Sequence, residues 1–434
     1  MRTLWIGWTM AGIVLGLAGC GGDSGGESAQ AEEPRAQDQR VFTAAEPDAR
    51  TFAAMAAAAG DTTDLSGTSR WAGVMPNGAA YRVEVPVNWN GTLVMFAHGY
   101  AGTGDKLAVQ NPPIRRHLLQ NGYAWAASSY AKNYYDVRAG VEDTNALALA
   151  FSDIARANQR PLAAPERVLV MGTSMGGHVT AAAVEAETYR TANHKMKYDG
   201  ALAMCGPVGD TELFNVMAGL QMSAQALAGF ADVPSQQWST ISNQVIGALF
   251  STYPAVPGLG VPMAVTSPLG TQYASVIENL TGGERPMFPL GLTVGGSLSL
   301  PFRELGSDGT VSGILNKSVL DTTRLTYVID GDPAATAQLN AAAQKLTAAP
   351  DANRLRTDGL RWVPQVNGEF SVPVVSIHTL GDLYVPFGMQ QLYRKRAEAK
   401  GSSALLVQRA MRGISHCDFT VAEMSESFDA LAQW

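Results

Sequence analysis

Charged residues are scarce in this sequence. Asp, Glu, Lys and Arg make up 16% of its 434 residues and apolar residues 46%, a balance that supplies a large core and excludes a globally disordered chain. The formal net charge is −7 and no run of Lys or Arg is present, which argues against a nucleic-acid partner. The length fits one large α/β domain that carries an insertion.

Motifs for metal or nucleotide binding are missing as well. The chain has no H-E-x-x-H, no C-x-x-C and no group of Asp and Glu at the spacing of a metal-binding loop. The glycines between residues 172 and 177 come nearest to G-x-G-x-x-G, but the serine among them indicates a different kind of turn, described below. We therefore expect neither a metal nor an organic cofactor.

The N-terminus has the pattern of an export signal, which we predict for residues 1–19. Arg2 precedes an apolar stretch from Leu4 to Ala18, shorter than the ~20 residues of a membrane-spanning helix. The stretch ends in Leu-Ala-Gly-Cys, which resembles the lipobox of bacterial lipoproteins and implies cleavage before Cys20 and a lipid on its sulfur. A plain secretion signal with an incidental cysteine is the alternative interpretation.

Residues 20–60 are predicted to be a lipid-anchored flexible linker, because they begin with a polar stretch without apolar periodicity. The membrane is then a partner through the anchor, and the expected location is the bacterial cell envelope. Gly21 after the cysteine favours the outer membrane by resemblance to lipoprotein sorting rules. Secretion is the alternative.

Three cysteines are present, so Cys205 and Cys417 remain if Cys20 carries the lipid. In an oxidising envelope, two leftover thiols are expected to pair. Two separate buried thiols are the alternative.

Short, unbroken apolar runs recur along the chain, typical of strands buried on both faces of a parallel sheet. They occupy residues 80–89, 91–100, 123–130, 167–174, 198–206, 372–382 and 404–411. Helical patterns lie between them, at residues 141–159, 175–190, 386–401 and 421–434. The alternation predicts a doubly wound, mostly parallel α/β sheet.

The alternation stops between residues 207 and 371. This stretch begins with a helix-like segment at 211–230 and continues through Pro- and Gly-rich sequence at 251–270. We expect a large, largely helical cap or lid inserted between two strands, which divides the core into residues 61–206 and 372–434.

The stretch Gly172-Thr173-Ser174-Met175-Gly176 matches G-x-S-x-G, with an apolar run before it and a helical pattern after it. The flanking glycines let strand and helix approach closely, and the sharp turn exposes the central hydroxyl. This context predicts a nucleophile elbow at Ser174. A simple glycine turn is the alternative.

A serine nucleophile needs a base and an acid that orients it. His416 lies in a loop between the last apolar run and the last helix, where the chain resembles an α/β hydrolase, whose catalytic histidine occupies this place. Asp382, after a buried run, is the predicted acid, with Asp210 as the alternative. The other histidines lie in polar stretches, inside a buried run, in the loop after residue 97 or beyond reach on the helix after the serine: His98, His117, His178, His194 and His378.

The oxyanion of an acyl transfer needs two backbone N–H groups. Met175, directly after the nucleophile, is predicted to supply one. The loop His98-Gly99-Tyr100 is predicted to supply the other from Tyr100, with Gly99 as the alternative and His98 bracing the loop.

Together, HG-x-x-G after a strand, G-x-S-x-G before a helix, and the order Ser…Asp…His resemble the α/β-hydrolase superfamily from about Trp71 to Trp434, apart from the insertion. The Tyr100 loop and Ser-Met-Gly-Gly look like the oxyanion elements of cutinases and related lipases, which lack so large a cap. Cys417 after the histidine resembles feruloyl esterases and tannases, in which that cysteine bonds the residue before the nucleophile. Thr173 occupies that position here, which leaves Cys205 as the partner that the resemblance implies.

The expected function is hydrolysis of a carboxylic ester through an acyl-enzyme, without a cofactor. Low charge and a Met-rich cap favour an uncharged, bulky or hydrophobic substrate, either a small molecule or a polymer. A prolyl-type serine peptidase is one alternative, with Glu212, Glu278, Glu284 and Arg285 available to grip a peptide terminus. A hydrolase of β-diketone C–C bonds and an inactive, surface-tethered binding protein are the others.

Overall fold

The computed structural model describes residues 33–45, 52–253, 267–294 and 312–434. The predicted export signal at 1–19 and Cys20 lie outside the described residues. Within these ranges, no helix is both long enough and apolar enough to cross a bilayer.

An eight-stranded sheet forms the centre of the fold, in the order β10-β9-β8-β7-β4-β6-β3-β2. Neighbouring strands from β10 to β6 are parallel, whereas β3 is antiparallel to both of its neighbours. This arrangement confirms the predicted mostly parallel sheet. The strands of the chain are β1 (Thr43–Ala44), β2 (Ser69–Val74), β3 (Ala80–Val85), β4 (Thr92–Ala97), β5 (Lys106–Leu107), β6 (Ala124–Ser128), β7 (Arg167–Thr173), β8 (Gly200–Met204), β9 (Val374–Thr379) and β10 (Leu406–Met411).

Helices cover both faces of the sheet, so its central strands are buried on both sides. This is why β4, β6, β8 and β9 read as unbroken apolar runs. The helices are α1 (Arg115–Gln120), α2 (Val137–Ala157), α3 (Met175–Ala183), α4 (Ala186–Thr191), α5 (Glu212–Leu227), α6 (Trp238–Leu249), α7 (Pro268–Leu280), α8 (Phe288–Thr293), α9 (Pro333–Ala342), α10 (Gly388–Lys400) and α11 (Val421–Gln433).

Two apolar clusters lie against the sheet, and α2 and α3 contribute to one while α1 and α11 contribute to the other. A third cluster belongs largely to the cap, residues 207–371, where side chains of α5 to α9 pack on one another. The described part of the cap holds these five helices between β8 and β9, and it contributes no strand to the main sheet. The cap helices therefore have a core of their own.

The predicted flexible linker at 20–60 is wrong for its described part. Residues 34–45, here called the N-terminal strap, lie against the folded domain, and β1 pairs with β5. Arg35 is buried, where its guanidinium forms an ion pair with Asp136 and stacks over Trp362. Farther along, Phe52 packs on Trp125 with ring centroids 5.6 Å apart. The two buried residues of the strap, Arg35 and Gln37, are polar, so the sequence lacks the apolar periodicity by which buried segments are recognised.

Candidate active site

Ser174 lies in a strained turn between β7 and α3. Its φ of 56° and ψ of −124° fall in a region that residues with a Cβ rarely adopt. Close packing fixes the turn, since a Cβ on Gly176 would lie 2.0 Å from the Ala97 carbonyl oxygen and one on Gly172 would lie 2.2 Å from that of Gly176. Ser174 takes the N-cap position of α3, yet its side chain makes no capping hydrogen bond. The hydroxyl is therefore available for another partner.

That partner is His416. The imidazole Nε2 lies 2.8 Å from Ser174 Oγ, and Nδ1 lies 2.6 Å from Asp382 Oδ2. The structure thus brings together the three predicted triad residues, which follow three different strands. The geometry matches the nucleophile–base–acid chain of a serine hydrolase.

Asp382 is fully buried and held by four groups. Its Oδ1 accepts hydrogen bonds from the backbone N–H of Tyr384 at 2.9 Å and of Val385 at 3.0 Å, while Oδ2 faces His416. Nε2 of His378 lies 3.6 Å from Oδ2. These donors compensate the carboxylate for lost hydration and leave Oδ2 directed at the imidazole.

His378 is the predicted buried strand histidine, but its contact with Asp382 was not foreseen. Its Nε2 lies 2.8 Å from the Val385 carbonyl oxygen, and its Nδ1 lies 3.3 Å from the amide nitrogen of Gln390, which assigns the proton to Nε2. Burial lowers the pKa of His378, with the charge of Asp382 opposing that shift. The neutral ring therefore donates its N–H to the Val385 carbonyl oxygen and lies beside the Asp382 carboxylate without a hydrogen bond to it.

Of the predicted oxyanion residues, Met175 lies at the Ser174 turn and Tyr100 lies in the loop after β4. Met175 is the first residue of α3, where backbone N–H groups have no partner within the helix. The loop after β4 reaches Ser174 at Gly99, where an added Cβ would lie 3.2 Å from Ser174 Cβ. Tyr100 follows and packs against the main apolar cluster. His98 is buried behind the loop, stacked on Tyr130 with ring centroids 4.0 Å apart.

Cys205 and Cys417 form a disulfide whose Cα atoms are 5.3 Å apart. It joins the residue after β8 to the residue after His416. The Cys205 sulfur also lies 3.4 Å from the Ser174 backbone nitrogen. The bridge therefore ties the histidine loop to the strand beside the nucleophile.

The alternative acid, Asp210, contacts other residues and not His416. It forms an ion pair with Arg396 at 2.7 Å and accepts a hydrogen bond from the Val366 N–H. His178 is fully buried between the Tyr135 hydroxyl and the Pro364 carbonyl. The two polar-stretch histidines pair with acids elsewhere, His117 with Asp429 and His194 with Glu142.

Two of the cap residues considered for gripping a peptide terminus are engaged within the protein. Glu212 forms an ion pair with Arg324 at 2.8 Å. Arg285 is 6% exposed and donates to the Leu380 carbonyl oxygen, next to the Asp382 turn. Sequence reasoning did not connect Arg285 or His378 to the triad. The four-residue spacing between His378 and Asp382 across the end of β9 was the available signal for the histidine.

One group of side chains among the described residues has the spacing of metal ligands, namely Cys205, His416 and Cys417. Both sulfurs belong to the disulfide, so neither offers the thiolate that binds a metal.

Comparison with known proteins gives distant similarities, and no family model matches the chain. An o-phthalyl amidase from Xanthobacter agilis is 23% identical over an alignment of 413 positions that covers 83% of this chain and 86% of that protein. Feruloyl esterase B from Aspergillus oryzae has a TM-score of 0.43 and 14% identity, covering 84% of this chain and 78% of its own. The rice cell wall degrading esterase LipA from Xanthomonas oryzae has a TM-score of 0.38 and 15% identity, covering 84% and 87%.

The assignment of the fold rests on the chain's own topology. Parallel strands flanked by helices lead to an elbow at Ser174, and the order along the chain is nucleophile, acid, histidine. These features give the chain an α/β-hydrolase fold.

Proposed function

We propose that the protein hydrolyses carboxylic esters, with Ser174 as nucleophile, His416 as general base and Asp382 as the acid that orients the imidazole. The observation that carries the proposal is the Ser174 hydroxyl. It sits at a helix N-cap without capping the helix, and it lies 2.8 Å from His416 Nε2. A turn that holds a serine in strain and directs its hydroxyl at a histidine has a chemical use rather than a structural one.

In the proposed reaction, Ser174 Oγ attacks the ester carbonyl carbon while its proton moves to His416 Nε2. The backbone N–H groups of Met175 and Tyr100 bind the oxyanion. The tetrahedral intermediate then breaks the bond to the alcohol oxygen, which takes the proton from His416 and leaves as the alcohol. Water repeats the sequence on the acyl-enzyme and releases the acid, with Ser174 restored.

The proposed substrate is an uncharged, bulky or hydrophobic ester. Arg285 donates to the Leu380 carbonyl oxygen and Glu212 pairs with Arg324. Neither side chain is therefore positioned to bind a charged peptide terminus. Tyr384 presents its ring to His416 edge-on, with centroids 5.2 Å apart, which puts an aromatic group next to the base. These contacts support an ester over a peptide.

A substrate panel tests the proposal. Chromogenic acyl esters of increasing chain length are compared with aminoacyl anilides and with β-diketones, using the wild type and Ser174→Ala. We expect ester turnover to exceed both other classes and to fall by about 10³-fold or more in Ser174→Ala. Ser267→Ala is the matched control, since Ser267 is also an N-cap serine but its hydroxyl accepts from the Gly270 N–H.

Each alternative has its own outcome in that panel. Faster turnover of anilides would indicate an amidase or peptidase, the chemistry in the name of the Xanthobacter agilis relative. Faster cleavage of β-diketones would indicate a C–C hydrolase. Binding without turnover would indicate an inactive tethered protein, and full activity in Ser174→Ala would overturn the mechanism.

We also propose that the chain is exported and anchored through a lipid on Cys20. The lipobox-like tetrad that ends at Cys20 supports this, and the residue lies outside the described ranges. Metabolic labelling with a radioactive fatty acid tests it. We expect label in the wild type and none in Cys20→Ser, whereas label in both proteins would contradict the proposal.

A further inference from the structure

The segment between α7 and α8 of the cap packs directly on the turn that carries Asp382. The Gly388 N–H donates to the Thr281 carbonyl oxygen at 3.0 Å, and the Gln391 amide donates to that of Gly282 at 2.9 Å. On α8, a Cβ at Gly291 would lie 2.2 Å from the Gly381 carbonyl oxygen. The cap therefore touches the residues on both sides of Asp382.

Arg285 lies at the centre of this contact. Its Nε donates to the Leu380 carbonyl oxygen at 2.7 Å, two residues before Asp382. Its other donors return to the cap, with Nη1 bonded to the Gly283 carbonyl oxygen at 2.8 Å and Nη2 to Thr281 Oγ1 at 2.9 Å. One planar guanidinium thus joins the cap segment to the catalytic turn.

The charge of Arg285 is buried without a direct ion pair to any described carboxylate. Burial lowers the pKa of Arg285 to about 10, and the charges of Glu278 and Asp382 act in the opposite direction. The side chain therefore remains a cation at neutral pH. A buried cation held by neutral oxygens is costly, and the carboxylate of Asp382 is one of the two charges that compensate it.

We propose that Arg285 is a positioning residue for the triad, through which the cap holds the Asp382 turn and places a positive charge near the Asp382–His416 pair. This inference rests on the proposed function of Ser174, His416 and Asp382. Because Arg285 belongs to the cap, the cap is then part of the catalytic machinery and not solely a cover over the substrate.

The sign of the electrostatic effect follows from the charged groups that face His416. Asp382 pairs directly with His416, the neutral His378 ring and the Arg285 cation interact with that carboxylate, and Glu278 interacts in turn with Arg285. The working form of His416 is the neutral imidazole. A positive charge near an imidazole disfavours its protonated form, which fixes the direction of the effect expected when that charge is removed.

The test measures how fast diisopropyl fluorophosphate inactivates the full-length protein as a function of pH, since this readout needs no known substrate. In Arg285→Met, we expect the acid limb of the profile to move to higher pH by roughly half a unit to one unit. The maximal rate should also fall about 10- to 100-fold, because the Asp382 turn loses its anchor. Arg285→Lys should keep the acid limb of the wild type and recover part of the rate.

A second variant acts in the opposite direction and does not remove the buried anchor. Glu278 is partly exposed, and Glu278→Gln removes an anion that offsets Arg285. The acid limb should therefore move to lower pH, by less than the Arg285→Met shift. This variant tests the charge effect even if Arg285→Met fails to fold.

Arg356→Met is the matched control, since Arg356 is 8% exposed and pairs with Asp358 at 2.8 Å away from the triad. It should lower stability without moving the acid limb. An unmoved acid limb in both Arg285→Met and Glu278→Gln would overturn the inference. Inactivation of Ser174→Ala at the wild-type rate would instead contradict the proposed function itself.

Discussion

The edge of the sheet that carries the candidate active site and the cap are built in different ways. At the edge, Gly99, Ser174, Asp382 and His416 each lie just beyond the carboxyl end of a parallel strand. Parallel strands gather such residues at one edge regardless of their separation along the chain. Residues of the cap are not brought together in this way, because its described part adds no strand to the main sheet. Arg285 reaches the Asp382 turn because a loop between two helices packs there.

A sequence pattern carries functional information at the strand ends of this chain but not in its cap. A residue at a strand end is placed by the sheet, so a motif there predicts its neighbours. A residue in the cap, or in the N-terminal strap, is placed by a tertiary contact that no local pattern encodes. Substitutions at the strand ends should therefore lower the rate of ester hydrolysis. Substitutions where the N-terminal strap meets the cap should mainly lower the free energy of unfolding.

The largest effect is expected from Asp382→Asn. Asp382 Oδ2 lies 2.6 Å from His416 Nδ1, and an amide nitrogen there would favour the wrong tautomer of the imidazole. We expect kcat for the best ester to fall about 10³- to 10⁴-fold. Asp210→Asn is the control, since Asp210 pairs with Arg396 and should affect mainly stability. The reverse result would assign the acid to Asp210.

Arg35→Met tests the contact of the N-terminal strap with the rest of the fold. Arg35 is 3% exposed, bonds to Asp136 at 3.0 Å and donates to the Ile314 carbonyl oxygen of the cap at 3.2 Å. Removing one member of a buried ion pair leaves the other charge uncompensated, so we expect the free energy of unfolding to fall by about 3–5 kcal/mol. Denaturant titration measures this loss.

Arg156→Met provides the comparison for Arg35→Met. Arg156 pairs with Asp153 on the surface, where both side chains are largely exposed, and its loss should cost about half a kcal/mol or less. Equal effects of the two substitutions would mean that the strap behaves as the flexible linker that the sequence predicts.

Removing the disulfide should lower both the stability of the protein and the rate of ester hydrolysis. We expect Cys205→Ser/Cys417→Ser to lower the free energy of unfolding by about 2–4 kcal/mol. The rate of ester hydrolysis should also fall, because the residue after His416 is no longer tied to the strand beside Ser174. Thermal unfolding and ester assays with and without reductant measure both effects. If thiol titration of the denatured, unreduced protein finds both cysteines free, the pairing is refuted.

Among the substitutions at the ends of the strands, the smallest effect is expected from Gly99→Ala. The added methyl group would lie 3.2 Å from Ser174 Cβ and 3.3 Å from the Thr173 carbonyl oxygen, so the loop after β4 must shift by a few tenths of an ångström. We expect kcat/KM to fall about tenfold, because small displacements of oxyanion donors are costly. Gly104→Ala is the control, as a Cβ there meets no atom within 4 Å. Equal activity of the two variants would exclude the Gly99 loop from the reaction.

Much of the architecture was predictable, for reasons visible in particular segments. The runs at 92–97, 124–128 and 374–379 are buried on both faces, so their apolar character identifies them as parallel strands. Helix α10 ends at Lys400 because Gly401 adopts a φ of 78°, the stop signal expected from the sequence. The strap was mistaken for a linker because Arg35 and Gln37 are buried through polar contacts.

By itself, the sequence determined the sheet, the elbow and the candidate residues of the triad, because buried strands and sharp glycine turns leave local patterns. The tertiary structure selected between alternatives that the sequence left open, namely Asp382 over Asp210 as the partner of His416 and a Cys205–Cys417 bond over two separate thiols, and it alone shows that Arg285 reaches the Asp382 turn. These outcomes depend on the directions of side chains from distant segments. Packing sets those directions, and no residue's immediate neighbours in the chain encode them.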